Sequence, residues 1–293
     1  MTALTSPLIS VTQLQALQAS GQPCLVFDCS FELMQPTQGD AQYASGHIPG
    51  AVRADLDRHL STHGAPDAAS AGRHPLPALD TFATWVRSMG VTPQTQVVVY
   101  DRQGVNYCGR LWWMLKWLGH EAVAVLDGGW QAWQASGAAV ESGTPAAPSP
   151  AEIYRSNDPL APAEYALIAT ETIAIKLGKP SLTLIDARGA ARYRGEVEPL
   201  DPVAGHIPGA LNRPFTDNLD AQGFFKPASQ LRAEFEALLA GRDPASVVHH
   251  CGSGVSAVPN LIAMEVAGLG RTALYAGSWS AWCSDPTRPC AQG

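Results

Sequence analysis

The chain has 293 residues, of which 46% are hydrophobic and 15% charged, and its formal net charge is −7. That length accommodates two ordinary domains, and the acidic balance leaves no basic footprint for nucleic acid, so an anionic ligand must be drawn in by local arginines and backbone amides. No stretch approaches the length of a membrane span, and residues 1–21 lack a basic start followed by a long apolar run, so a cytoplasmic protein without membrane partners is expected.

Taken in order, the first half alternates helical and β-rich segments. The patterns predict a helix over 11–20, a strand over 25–28, helices over 80–89 and 109–118, and strands over 97–100 and 123–126. Residues 141–163, rich in proline, serine and alanine, have the composition of an extended linker. The second half repeats the first, with strands predicted over 182–186, 246–250 and 272–275 and helices over 229–239 and 257–268. The hexapeptide GHIPGA occurs at 46–51 and again at 205–210, and Gly128-Gly129-Trp130 with Trp133 is answered by Gly277-Ser278-Trp279 with Trp282. These tryptophans are expected to close a core rather than hold a cofactor. A repeat this long is a duplicated domain, not a solenoid unit, and apolar strands alternating with helices predict an α/β fold with a mainly parallel sheet flanked by helices in each copy. The expected division is a domain over 1–140, a linker over 141–163 and a second domain over 164–293.

One loop carries the chemistry. The short β-type run 247–250 meets Cys251, then Gly252-Ser253-Gly254-Val255-Ser256-Ala257, then a helical segment with Pro259 in its first turn. The loop therefore stands at a helix N-terminus, where the free amides of 252–256 and the helix dipole favour a thiolate or a bound anion. Gly252 and Gly254 allow the backbone to approach a ligand closely. An inert buried thiol is the alternative, but two glycines flanking a hydroxyl are not what a core position needs. A phosphatase loop would place an arginine six positions after its cysteine, and that position is Ala257. The six cysteines, at 24, 29, 108, 251, 283 and 290, form no CxxC pair and read as reduced thiols. His249, His250 and Cys251 are consecutive strand residues that point to alternate faces, so no metal is expected. No dinucleotide or Walker loop stands at a strand-to-helix junction, so no cofactor is expected either.

The paired GHIPGA, the GSW ending and a CGSGVSA loop in the second copy only resemble the two-domain rhodanese-type sulfurtransferases. The loop is similar to the CGSGVTA of the 3-mercaptopyruvate type. The resemblance implies two tandem rhodanese-like domains, the first non-catalytic because Asp101 stands at the cysteine position. It implies a cycle in which Cys251 takes sulfur from a small anionic donor, 3-mercaptopyruvate with thiosulfate also accepted, and a persulfide passes it to cyanide or a thiol, thioredoxin among them. On the same ground Ser253, His74 in Gly72-Arg-His-Pro-Leu-Pro77, and Asp55 are assigned to a proton relay. His74 comes with an interval between hexapeptide and loop that is longer in the first copy (47 to 101) than in the second (206 to 251).

Gly252, Gly254, Val255 and Ser256 would surround the substrate sulfur, Ser256 standing where the family has threonine. Arg192 matches the family's anion-binding arginine, whereas Arg188 suits a structural ion pair and Arg194 suits solvent. Tyr107 aligns with a tyrosine that relatives place near the cleft. Two departures bear on the donor. The mercaptopyruvate type usually carries a second arginine before the second GHIPGA, where this chain reads Glu198-Pro-Leu-Asp-Pro-Val-Ala204. The thiosulfate type carries CRKGVTA, where this chain has Gly252 and Ser253. The competing readings are a thiosulfate enzyme proper and a persulfide carrier serving a protein partner.

Overall fold

The computed structural model describes residues 6–143 and 165–293, so the expected linker beyond residue 143 lies outside the described residues. The chain divides into two compact units. Unit 1 takes in Met1–Asp67, Pro77–Glu164 and Ala221–Phe224, and unit 2 takes in Ala68–Leu76, Tyr165–Asp220 and Phe225–Gly293. Unit 2 thus includes residues 68–76, the segment that carries His74.

Unit 1 contains β1 (Leu8–Ile9), α1 (Val11–Ala19), β2 (Cys24–Asp28), α2 (Gln38–Ser45), β3 (Val52–Arg53), α3 (Leu79–Ser88), β4 (Gln96–Tyr100), α4 (Cys108–Trp117), β5 (Val123–Leu126) and α5 (Gly129–Ala135). The five strands form one sheet in the order β1-β5-β4-β2-β3, every pair parallel. Every residue of β4 is buried, as an inner strand covered on both faces requires. Helix α1 opens with a capping box in which Ser10 accepts from the Gln13 amide and the Gln13 side chain accepts from the Ser10 amide. Val26, Val98 and Tyr100 pack with Trp130 and Trp133 in the core.

Unit 2 contains α6 (Thr170–Lys176), β6 (Thr183–Asp186), α7 (Ala190–Tyr193), β7 (Leu211–Asn212), α8 (Ala228–Leu239), β8 (Val247–His250), α9 (Val258–Val266), β9 (Ala273–Leu274) and α10 (Ser278–Trp282). Its sheet runs β7-β6-β8-β9, again parallel throughout. Leu167 makes a parallel bridge to Leu274, at the position β1 takes against β5 in unit 1. Leu184 and Val248 pack with Trp279 and Trp282 in the core. The α/β fold of two parallel sheets flanked by helices is therefore the one expected from the sequence.

The duplication extends to individual side chains. The ring of His47 stacks on Tyr43 with centroids 4.0 Å apart, and that of His206 on Tyr193 at 3.8 Å. Each histidine Nδ1 lies 2.8 Å from its tyrosine's carbonyl oxygen. The tyrosine hydroxyls donate to Ala51 O and Ala210 O, both at 2.6 Å. GHIPGA is thus a structural joint, which accounts for its presence in both copies.

Candidate active site

Strand β8 ends at His250 and delivers Cys251, which is buried, at the start of a loop that leads into α9 with Pro259 in its first turn. Helix α10 pins that loop from the other side. The Cys251 amide donates to Ser278 Oγ at 3.1 Å, the Cys251 carbonyl accepts from the Trp279 amide at 3.0 Å, and the Gly252 carbonyl accepts from the Ser280 amide at 2.9 Å. Gly254 has φ +75°, and a Cβ there would collide with the Ala276 backbone, so this turn of the loop requires glycine.

The equivalent loop of unit 1 shows what such a backbone holds. Asp101 follows β4 as Cys251 follows β8, and its carbonyl likewise accepts from a tryptophan amide, Trp130, at 3.0 Å. Its carboxylate accepts four backbone hydrogen bonds. Oδ1 takes the amides of Gln103 (2.9 Å) and Val105 (3.0 Å), and Oδ2 those of Tyr107 (2.8 Å) and Cys108 (2.9 Å). A loop of this frame is an anion cradle.

Around Cys251, unit 2 gathers several of the expected residues. His74 Nδ1 lies 2.7 Å from Ser253 Oγ, both side chains being buried. Arg192 places Nη1 3.4 Å from the point a Cβ on Gly252 would occupy, while its Nη2 donates to Glu198 Oε1 at 2.7 Å. Val255 is buried and Ser256 half-buried in the same loop. Arg188 is a structural cation: it pairs with Asp186 at 2.6 Å and lies over the Trp279 ring at 4.9 Å. Arg194 is exposed and pairs with Glu196. Asp55 belongs to unit 1, where its carboxylate accepts from the amides of Asp57 and Arg58 and pairs with Arg53 at 3.2 Å and Arg58 at 3.3 Å. Tyr107, also in unit 1, packs edge-on against Phe31.

The other cysteines are held as thiols. Burial pushes Cys24 and Cys283 up to about 11, and raises Cys29 and Cys108 well above the ordinary cysteine value, with the Asp101 charge adding to both. Burial raises Cys290 as well. Charged groups that the sequence did not single out also stand at the loop. Arg73 reaches to within 3.1 Å of the Gly252 Cβ position and pairs with Asp201 at 2.7 Å, and Asp201 and Glu198 both pair with Arg192. The available signal was that Arg73 neighbours His74 in the same inserted segment. Among the described residues, no group of three or more His, Cys, Asp or Glu is placed to hold a metal ion, and no helix is long and apolar enough to cross a membrane.

A cysteine after an inner parallel strand, on a pinned loop whose sister copy cradles a carboxylate, is the arrangement of a sulfur-transferring domain. A family model for the rhodanese-like domain matches residues 10–136 and again 170–285, and the chain belongs to that family. A Pseudomonas aeruginosa protein, named provisionally as a 3-mercaptopyruvate sulfurtransferase, is 44% identical over 292 residues, covering 99% of this chain and 100% of the relative. A Mycobacterium tuberculosis protein, named provisionally as a thiosulfate sulfurtransferase, is 39% identical over 296 residues, covering 100% of this chain and 99% of the relative. Among solved structures, Escherichia coli SseA, described as a 3-mercaptopyruvate sulfotransferase, aligns with a TM-score of 0.74 at 31% identity, covering 94% of this chain and 100% of that one.

Proposed function

We propose that this sulfurtransferase takes the sulfur of 3-mercaptopyruvate onto Cys251 and passes it to a thiophilic acceptor. The observation that carries the reading is the 2.7 Å contact between His74 and Ser253 on an uncharged loop two residues from the nucleophile. In the first half-reaction the Cys251 thiolate attacks the donor sulfur, an S–S bond forms, and the C–S bond breaks with its electron pair passing to carbon. The leaving group is pyruvate enolate, which needs a proton. Ser253 and His74 carry the proton of the donor thiol to the enolate carbon. The product is a Cys251 persulfide anion, for which the loop amides act as the Asp101 cradle does for its carboxylate. In the second half-reaction a nucleophile such as cyanide attacks the outer sulfur, the S–S bond breaks, thiocyanate leaves and the Cys251 thiolate returns. A thiol, including that of thioredoxin, serves equally in a reducing cytoplasm.

Thiosulfate makes a different demand. Its leaving sulfite needs cationic stabilisation and no proton, so it can use the arginines beside Gly252 but leaves the Ser253–His74 pair without a task. Thiosulfate is therefore a secondary donor here, and the relatives that match nearly the whole chain carry names of both kinds. The test is turnover with both donors at matched acceptor concentration. The expected result is a higher kcat/KM for 3-mercaptopyruvate, with the preference moving towards thiosulfate when Gly252-Ser253 is replaced by Arg-Lys. A tenfold preference of the unaltered chain for thiosulfate, about 1.4 kcal/mol in barrier, would reverse the donor assignment.

A further inference from the structure

The segment before the second GHIPGA carries acids where the family usually has a second arginine, and unit 2 shows what those acids do. Asp201 bridges two guanidiniums: Oδ1 accepts from Arg73 Nη1 at 2.7 Å and Oδ2 from Arg192 Nη2 at 3.3 Å. Glu198 grips Arg192 as well, accepting from Nη2 at 2.7 and 2.9 Å and from Nε at 3.3 Å. The side chains of Asp201 and Glu198 are buried, so these grips are shielded from water.

Each guanidinium is therefore fixed along one edge and leaves a donor on the other. Arg73 Nη2 and Arg192 Nη1 make no hydrogen bond among the described residues, and they stand 3.1 and 3.4 Å from the Gly252 Cβ position, one residue from the nucleophile. Ser280 ties Arg73 to that residue. Its Oγ accepts from the Arg73 amide at 3.0 Å while its amide donates to the Gly252 carbonyl at 2.9 Å. Gly252 is the residue whose missing side chain lets both cations approach.

We propose that Arg73 is the second anion-binding group of the site, forming with Arg192 a two-guanidinium clamp over Gly252 for the carboxylate of the donor, with Asp201 and Glu198 as the positioning carboxylates. The proposal rests on the reading of Cys251 as the acceptor of sulfur from a small anion. It replaces the arginine missing from 198–204 by one from 68–76. Two forked donors beside the same residue suit a planar carboxylate better than one point charge does.

The experiment is calorimetric titration with pyruvate, the carboxylate product, of the unaltered chain, Arg73→Ala, Arg73→Lys and the double variant Arg73→Ala/Asp201→Asn, each checked for an unchanged thermal midpoint. The expected Kd rises roughly tenfold or more in Arg73→Ala, consistent with loss of a charge-assisted pair, and less in Arg73→Lys. It stays raised in the double variant, because the anion has lost a donor. Recovery of the unaltered Kd in the double variant would overturn the proposal by showing that Arg73 only neutralises Asp201. Equal binding in Arg73→Ala, or no binding to the unaltered chain, would also overturn it. Persulfide formation from 3-mercaptopyruvate, read by mass on the same samples, separates the two readings. A missing persulfide with Arg73-dependent pyruvate binding faults the donor assignment, whereas a normal persulfide with Arg73-independent binding faults the clamp.

Discussion

Asp101 and Cys251 directly follow equivalent inner strands, and the backbone carbonyl of each accepts a 3.0 Å hydrogen bond from a tryptophan amide, Trp130 in one copy and Trp279 in the other. The two loops share a frame and differ in what it holds. In unit 1 a carboxylate takes four amides and is chemically spent, because it has no sulfur to exchange. In unit 2 the same position is a cysteine, whose thiolate and persulfide are the anions the proposed cycle would place in that frame. Asp101→Ala would leave those buried amides without acceptors. It is expected to lower the stability of unit 1 by roughly 2–4 kcal/mol, read as an earlier urea transition, while Asp101→Asn, which keeps one acceptor oxygen, costs less. An unchanged transition in Asp101→Ala would show that water replaces the carboxylate without loss.

The proposed proton relay would separate the two half-reactions. His74→Ala and Ser253→Ala should each lower kcat with 3-mercaptopyruvate by roughly 10²–10⁴, the usual range for a positioned acid–base group. Discharge of a preformed Cys251 persulfide by cyanide should remain near the unaltered rate, since no carbon is protonated in that step. Stopped-flow measurement of each half-reaction checks this, and equal losses in both halves would mean that these residues only shape the loop.

Two buried histidines make stability depend on pH. Burial pushes His249 down to about 3 and His120 down to about 4, so both remain neutral in the folded chain at pH values where the unfolded chain is protonated. A depressed folded-state value for a base means that stability is full above about 6.5 and falls as the pH drops towards 4. At pH 5 each group costs about 2 kcal/mol relative to pH 7. Urea unfolding at the two pH values should show the loss, and His249→Leu should reduce it in unit 2. A pH-independent midpoint would contradict the assignment.

The parts legible in the sequence are those where one pattern dominates a whole element. Strands β2 and β4 are largely apolar runs in a covered sheet, β8 is a buried Val-Val-His-His run of the same kind, and the Cys251 loop announces itself through glycines that a core would not need. The edge strands β1, β3 and β7 are two residues each, too short to show a period of two, and α7 and α10, of four and five residues, complete hardly more than one helical turn. The expected helix over 257–268 is the shorter α9, and the strand over 272–275 is the two-residue β9, since elements fray at their ends. Glu198 and Asp201 registered only as an absence of arginine. Their partner Arg73 lies 128 positions from Asp201, beyond the reach of any local pattern. His74 is reachable through family resemblance, which gives no such guide to its neighbour Arg73.

The account stands on Cys251 as the sole carrier of sulfur, and intact mass after treatment with 3-mercaptopyruvate tests it most directly. The unaltered chain should gain one sulfur that cyanide removes. The single changes of Cys24, Cys29, Cys108, Cys283 and Cys290 to serine should leave that gain in place, because each of these thiols is raised above the ordinary cysteine value, the exposed Cys290 included, and none is activated as a thiolate. Cys251→Ser should show no gain. A cyanide-labile one-sulfur adduct that persists in Cys251→Ser would contradict the account.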